Sequence, residues 1–354
     1  MSTTTRNFLL NRVYMCTVLL VVLLLVVLTM QRFGYKHTVV GHASDSNYAM
    51  EGNASHSTPT VKAALNDSKR PQRTFVYAIQ TESCLPIHLE KALGNPTECD
   101  CDVLVLSYNQ SCQAFFLRHV KYINGYSLTW PAGRNLLWQV AKSWRTRYLY
   151  YIFVDDDIVL KTTKSGNPWR QFERFLVNIE PAVAAVETNT NPYFPRRLKA
   201  IQHNKCVADY RREYVTTARF DEAFNAFHYQ TLDYLFPYST KHINKTWSYS
   251  GLHLAVKCEI TFRGHAVLHT QITALNPSHR PYPRAYFEGK EMSMMLSEIA
   301  KEIPVKYRNN TVLLGWKTNG INYESLSPTY CLPPPSPHMT IKPYALLEAP
   351  IPGL

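Results

Sequence analysis

A chain of 354 residues has room for one large domain or two small ones plus appendages, and 45% hydrophobic side chains give it an ordinary globular composition, rich only in Tyr and Pro. A formal charge of +12 suits anionic partners such as nucleotide diphosphates, acidic glycans or a membrane surface. No dense Arg/Lys block or nucleic-acid motif accompanies that charge, so nucleic acid is not an expected partner.

Residues 1–12 are short and polar and read as a cytoplasmic tail. Residues 13–30 are an uncharged run of mostly Leu and Val, roughly 27 Å long as a helix, close to the hydrocarbon thickness of an early secretory membrane. The run is long for a cleaved signal peptide and lacks a small-x-small exit, so it predicts a single uncleaved transmembrane anchor. Arg6 and Arg12 before it and Arg32 and Lys36 after it leave the orientation open. The Asn-x-Ser/Thr acceptors Asn53, Asn66, Asn109, Asn244 and Asn309 all follow the run, which favours a lumenal body. Cys84, Cys99, Cys101, Cys112, Cys206, Cys258 and Cys331 also follow it, and their spacing suits disulfides in an oxidising compartment rather than a zinc ribbon. Seven is odd, so one thiol is free or pairs between chains in a homodimer.

Residues 31–73 hold few large apolar side chains and read as a disordered lumenal stem. A catalytic domain is expected over 74–332. Its first strand is placed at 74–80 and its second at 101–107, with a short helix over 112–122. Trp130 and Pro131 open a further helix, whose Leu136, Leu137, Val140, Ala141 and Trp144 share one apolar face. Arg134 and Asn135 stand at its start, where free N–H groups favour anions; Arg134 is either a ligand contact or a support for the turn.

Residues 148–154 are uncharged and rich in aromatic and β-branched side chains, the pattern of a strand buried on both faces. Asp155, Asp156 and Asp157 follow directly. Ligands of open α/β sheets sit at the carboxyl ends of strands, and extended alternation would put Asp155 and Asp157 on one face with Asp156 on the other. Three adjacent carboxylates repel one another unless a cation sits among them, and oxygen ligands of this kind suit Mg²⁺ or Mn²⁺ holding a diphosphate. The similar Asp100 and Asp102 precede their strand and read as a polar strand entry.

Beyond the triplet, 169–179 reads as an amphipathic helix and 182–187 as a strand. Residues 220–236 read as an aromatic-rich helical segment whose Asp221, Glu222 and Asp233 are either surface acids or candidate general bases. Residues 247–256 put Trp247 and Tyr249 beside Gly251 and then run into a strand. His265 and His269 lie in a β-branched run with no acid between them, which argues against a protease-like zinc site; His269, or His279 in the Pro-rich loop, is a candidate extra metal ligand. Residues 288–303 form a last amphipathic helix, and 333–354 a Pro-rich extended tail.

Tail, anchor, stem and an α/β body with a strand-ending Asp-x-Asp resemble the type II membrane glycosyltransferases of the secretory pathway. That resemblance implies a GT-A-like fold, a mixed and mainly parallel sheet flanked by helices, anchored with its catalytic domain lumenal in the Golgi or ER. It implies a nucleotide-sugar donor, a glycan or glycoprotein acceptor, and a metal-dependent transfer. Asp155 would face the ribose and Asp157 would bind the metal, with Asp156 beside them; if the transfer inverts configuration, Asp221 or Glu222 would be the base, and the sequence leaves inverting and retaining transfer both open. Two other readings remain. Asp155, Asp157 and Val159 also resemble the first motif of haloacid-dehalogenase-like phosphatases, although only the scattered Asp209, Asp221 and Asp233 follow. A catalytically silent glycan-binding protein on the same fold would carry the same motif.

Overall fold

The structure is a computed structural model that describes residues 73–94, 96–113, 119–188, 213–277, 289–309 and 340–345, with positions 283 and 335. These residues belong to the unit Asp67–Leu354. They form a mixed α/β body with a mostly parallel central sheet and helices on both faces.

The strands are β1 (Arg73–Thr81), β2 (Cys101–Ser107), β3 (Val120–Asn124), β4 (Tyr148–Asp155), β5 (Val159–Thr162), β6 (Val183–Thr188), β7 (Tyr214–Thr216), β8 (Phe224–His228) and β9 (Ala266–Leu275). They run in the order β3-β2-β1-β4-β8-β6-β9-β5, with β7 paired to β9. β3, β2, β1 and β4 are parallel, as are β6 and β9, while β8 runs antiparallel to both β4 and β6.

The uncharged strands follow from double burial. Tyr150, Ile152 and Val154 of β4 join one core, while Tyr151 and Phe153 join the other. β1 divides likewise, with Tyr77 and Ile79 on the first side and Val76 and Ala78 on the second. Each fully buried large apolar side chain contributes about 1.5–3 kcal/mol relative to exposure, so an alternating polar residue here would be expelled. The first core is covered by α1 (Ile87–Leu93) and α3 (Pro168–Ile179), the second by α2 (Trp130–Ser143) and α4 (Ser248–Thr261). α3 begins where the Asn167 side chain accepts the Trp169 N–H at 2.9 Å, with Pro168 at the first helical position, and it buries Trp169, Phe172, Phe175, Leu176 and Ile179. A fifth helix, α5 (Gly289–Glu302), packs on α4, where Glu298 accepts the Tyr249 hydroxyl at 3.0 Å.

Three expectations are corrected. The helix over 112–122 gives way to β3, which extends the parallel sheet beside β2; residues 114–118 lie outside the described set. The helical segment over 220–236 contains β8 instead, followed by a 3-10 turn at Tyr229–Thr231 and a short helix at Leu232–Leu235, because Phe224, Asn225, Ala226, Phe227 and His228 are enclosed between β4 and β6. The strand expected after Gly251 is α4, buried on nearly every side and so without a two-residue alternation to declare itself or a helical stripe to contrast with it. Part of the expected tail also returns to the body: Ile341 is buried, and the Tyr344 N–H donates to the Thr261 carbonyl at the end of α4.

Cys84 pairs with Cys112 and Cys99 with Cys101, while Cys258 is a buried free thiol; Cys206 and Cys331 lie outside the described residues. Asn109, Asn244 and Asn309 are exposed, and Asn53 and Asn66 are outside. Among the described residues no helix is long and apolar enough to cross a membrane; the run 13–30 lies outside them. Asp100 accepts from the Thr74 N–H and hydroxyl and Asp102 from the Tyr148 hydroxyl, so that pair does serve strand entry at the amino edge.

Candidate functional site at the carboxyl edge of the sheet

β4 ends at Asp155, and the chain turns at once. The Ile158 N–H reaches back to the Asp155 carbonyl at 3.3 Å, so Asp156 and Asp157 sit on a tight turn before β5. The expected alternation of the three carboxylates across an extended strand therefore stops at Asp155. All three residues are partly exposed at the carboxyl edge.

Asp155 is held from α2. Its Oδ1 accepts from Arg134 Nη2 at 2.5 Å and from Trp130 Nε1 at 2.9 Å. Arg134 is fully buried, with its guanidinium 4.9 Å over the Trp130 ring and 5.4 Å from that of Phe153. The structure thus turns Arg134 inward onto Asp155, the supporting alternative, and away from contact with a ligand in solvent. Its Nε and Nη1 meet no hydrogen-bond partner. Asn135, next to it, clasps the Tyr238 backbone, donating to its carbonyl at 2.9 Å and accepting its N–H at 2.7 Å. That brings the Tyr238 ring to 5.4 Å from Trp130 and its phenol among the charges of Arg134, Glu222 and Asp155; burial is the main cause that raises the phenol's pKa.

The inverted strand supplies the other half of the site. Val154 is paired with Phe224, so the residues that lead into β8 arrive beside the end of β4. The Asp155 N–H donates to the Ala223 carbonyl at 2.9 Å, and Arg134 Nη2 reaches the Glu222 carbonyl at 3.4 Å. Asp221 turns locally, its Oδ1 accepting the Ala223 N–H at 3.0 Å and its Oδ2 the Thr188 hydroxyl at 3.4 Å. Burial, and then the adjacent Asp221 charge, push the Glu222 carboxyl up to about 8, with Arg219 and Arg134 pulling the other way. Asp155, Asp156, Asp157, Asp221 and Glu222 therefore share one edge. Asp233 does not; it is exposed and pairs with Lys142.

His269 lies on β9 opposite Val186, where β9 bulges before Thr273 meets Glu187, and its contacts lie elsewhere than on the acidic turn. Its buried ring meets Phe175 edge-on at 5.0 Å, its Nδ1 accepts the Gln271 N–H at 3.3 Å, and Glu213 lies 3.6 Å from Nε2. Burial pushes its pKa down to about 4. The segment carrying His279 leaves β9 at Leu275, beside β5, but His279 itself lies outside the described residues.

Among the described residues no group of three or more His, Cys, Asp or Glu side chains has metal-ligating geometry. The donor set on the turn nonetheless fits a hard divalent ion. Mg²⁺ needs only one or two carboxylates when phosphate oxygens and water complete its shell, and the turn offers oxygen donors alone.

Sequence reasoning missed Gln80, Trp130 and Tyr238. Gln80 stands opposite Asp155 in the β1–β4 register, its amide packed against Gly133, and a polar residue closing an apolar strand is a legible signal for it. Tyr238 had no such signal, because it reaches the site only through the clasp by Asn135.

No protein-family model matches the chain, and no curated protein matches it. Among solved structures, a mycobacterial protein is similar at 11% identity over 65% of this chain and 73% of its own, with a TM-score of 0.32. A197 from STIV is similar at 8% identity over 61% of this chain and 99% of its own, with a TM-score of 0.31. The class defined by the chain itself is a mixed α/β body, mostly parallel, with an acidic cluster at the carboxyl edge of its sheet.

Proposed function

We propose that the chain is a metal-dependent glycosyltransferase with a GT-A-like catalytic domain, moving a sugar from a nucleotide-diphosphate donor to a glycan or glycoprotein acceptor at a secretory membrane. One observation carries the reading: inverted β8 sets Asp221 and Glu222 against the end of β4, so the acids expected to bind the donor and those expected to serve the acceptor meet at one edge.

Asp157, with Asp155, would hold the Mg²⁺ or Mn²⁺, which when bound supplies neutralisation of the diphosphate's charge. Arg134 and Trp130 fix the Asp155 carboxylate before any ligand arrives, so the site needs little reorganisation on binding. Asp155 and Asp156 would meet the nucleoside part of the donor. The pairing of Asp155 with Arg134 and Trp130 makes it a poor covalent nucleophile, which weighs against the phosphatase alternative.

The test is calorimetric titration of the full detergent-solubilised chain with UDP, GDP and CMP, with and without Mn²⁺, beside Asp157→Ala. Mn²⁺-dependent binding of one nucleotide, lost in the variant, is the expected result. Binding of none of the three under either condition would sink the reading.

A further inference from the structure

An inverting transfer to a hydroxyl needs a protein group that takes its proton, and sequence spacing offers Asp221 and Glu222 equally. Their surroundings separate them. Both oxygens of Asp221 already accept protein hydrogen bonds, one closing its own turn and one from Thr188. The Glu222 carboxyl, which takes a backbone hydrogen bond, lies over Gly251 in the first turn of α4. A β-carbon on Gly251 would stand 2.5 Å from Oε1 and 2.7 Å from Oε2, far inside ordinary contact. Only a residue without a side chain leaves the carboxyl this place. The backbone on either side is fixed to the donor half of the site, through Arg134 to the Glu222 carbonyl and through Asp155 to the Ala223 carbonyl.

We propose that Glu222 accepts the proton of the acceptor hydroxyl, and that Gly251 is the positioning residue that fixes where its carboxyl stands. The proposal rests on the glycosyl-transfer reading. As the acceptor oxygen bonds to the anomeric carbon of the donor, its proton passes to a Glu222 carboxylate oxygen. The bond from that carbon to the phosphate oxygen breaks, and its electron pair departs with the nucleotide. Solvent then takes the proton from Glu222.

Support comes from the charges around the carboxyl. Asp221 raises its proton affinity and Arg219 and Arg134 lower it, with burial outweighing the rest, and the Tyr238 phenol lies within the same field. A carboxyl held near 8 is a stronger base than an ordinary one once ionised.

The experiment combines nucleotide calorimetry with release of nucleotide from UDP-glucose, GDP-mannose and CMP-sialic acid, using water and methyl glycosides as acceptors from mildly acidic to mildly alkaline pH. Wild-type turnover is expected to rise with pH through about 8. Glu222→Gln should keep Mn²⁺-dependent nucleotide binding and lose turnover on the order of 10²–10⁴-fold. Gly251→Ala displaces the end of a flexible side chain and not backbone, so it should keep the fold and nucleotide binding, lower turnover at least ~10-fold and move the midpoint of the pH profile. Wild-type turnover and an unchanged pH profile in Glu222→Gln overturn the proposal. So does nucleotide binding without turnover of any of these sugars by the wild type. Absence of nucleotide binding by the wild type overturns the underlying reading instead.

Discussion

Arg134 Nη2 stands 2.5 Å from Asp155 Oδ1, joining the first turn of α2 to the last residue of β4. The arginine is fully buried and the aspartate side chain is 24% exposed, so the pair lies across the boundary between core and site. One carboxylate of the acidic triplet is thereby structural as well as a proposed donor contact.

The first prediction separates those roles. Asp155→Ala leaves the buried Arg134 charge without its carboxylate and should destabilise the protein by about 3–5 kcal/mol. Asp157→Ala lies on a partly exposed turn, leaves no buried charge unpaired and should cost less than Asp155→Ala. Urea denaturation of the two variants decides, and equal midpoints would remove the structural role of Asp155.

A second prediction concerns the inverted strand. Phe224 is buried at the start of β8 with ring centroids 4.9 Å from Phe172 and 5.4 Å from Trp169. Phe224→Ala should cost about 3–5 kcal/mol. It should also impair nucleotide binding, because Ala223, the residue leading into β8, carries the carbonyl that holds the Asp155 N–H; unaltered binding at full occupancy of the folded state would argue against that coupling.

Glu173 on α3 gives a pH prediction. It accepts the Tyr77 hydroxyl at 2.6 Å and pairs with Arg170 at 2.9 Å, yet burial wins and pushes its carboxyl up to about 7. The folded state thus holds the proton more tightly than the unfolded chain, whose reference value is 4.5. The contribution to stability is complete below that value and is lost as pH rises through about 7. Its size is at most on the order of 3 kcal/mol. Glu173→Gln should flatten the stability–pH curve across this window, measured as the urea midpoint at successive pH values.

The fourth prediction tests the disulfide at the rim. Cys84 and Cys112 lie 28 positions apart and tie the exit of β1 to the loop after β2. Replacing both by Ser should lower stability by about 2–4 kcal/mol. A thermal midpoint indifferent to both the substitution and a reducing agent would show that the bridge contributes nothing.

Much of this fold was legible because double burial leaves a mark in sequence. The middles of β1, β2 and β4 are uncharged runs, since any charged side chain there would enter one core or the other, and the acids after Val154 mark where the core ends. α2 and α3 were legible for the opposite reason: each has one buried face and one wet one, and Pro131 and Pro168 punctuate their starts. β8 was not. Phe220, Phe224 and Phe227 recur at helical spacing, and only the slot between β4 and β6 makes the segment extended. α4 was missed because enclosure on nearly all sides erased its polar face.

The sequence by itself determined that a buried strand is followed by an acidic triplet, Asp155, Asp156 and Asp157, and that Asp221 and Glu222 were available acids, because residue type and local periodicity are properties of the chain. Only the tertiary structure decided that Arg134 points inward, that His269 is buried against Phe175 and Glu213, and that Glu222 rests on Gly251. These are outcomes of strand direction and long-range packing. Reversing β8 alone moves its leading acids from one edge of the sheet to the other, and no local pattern records which edge was chosen.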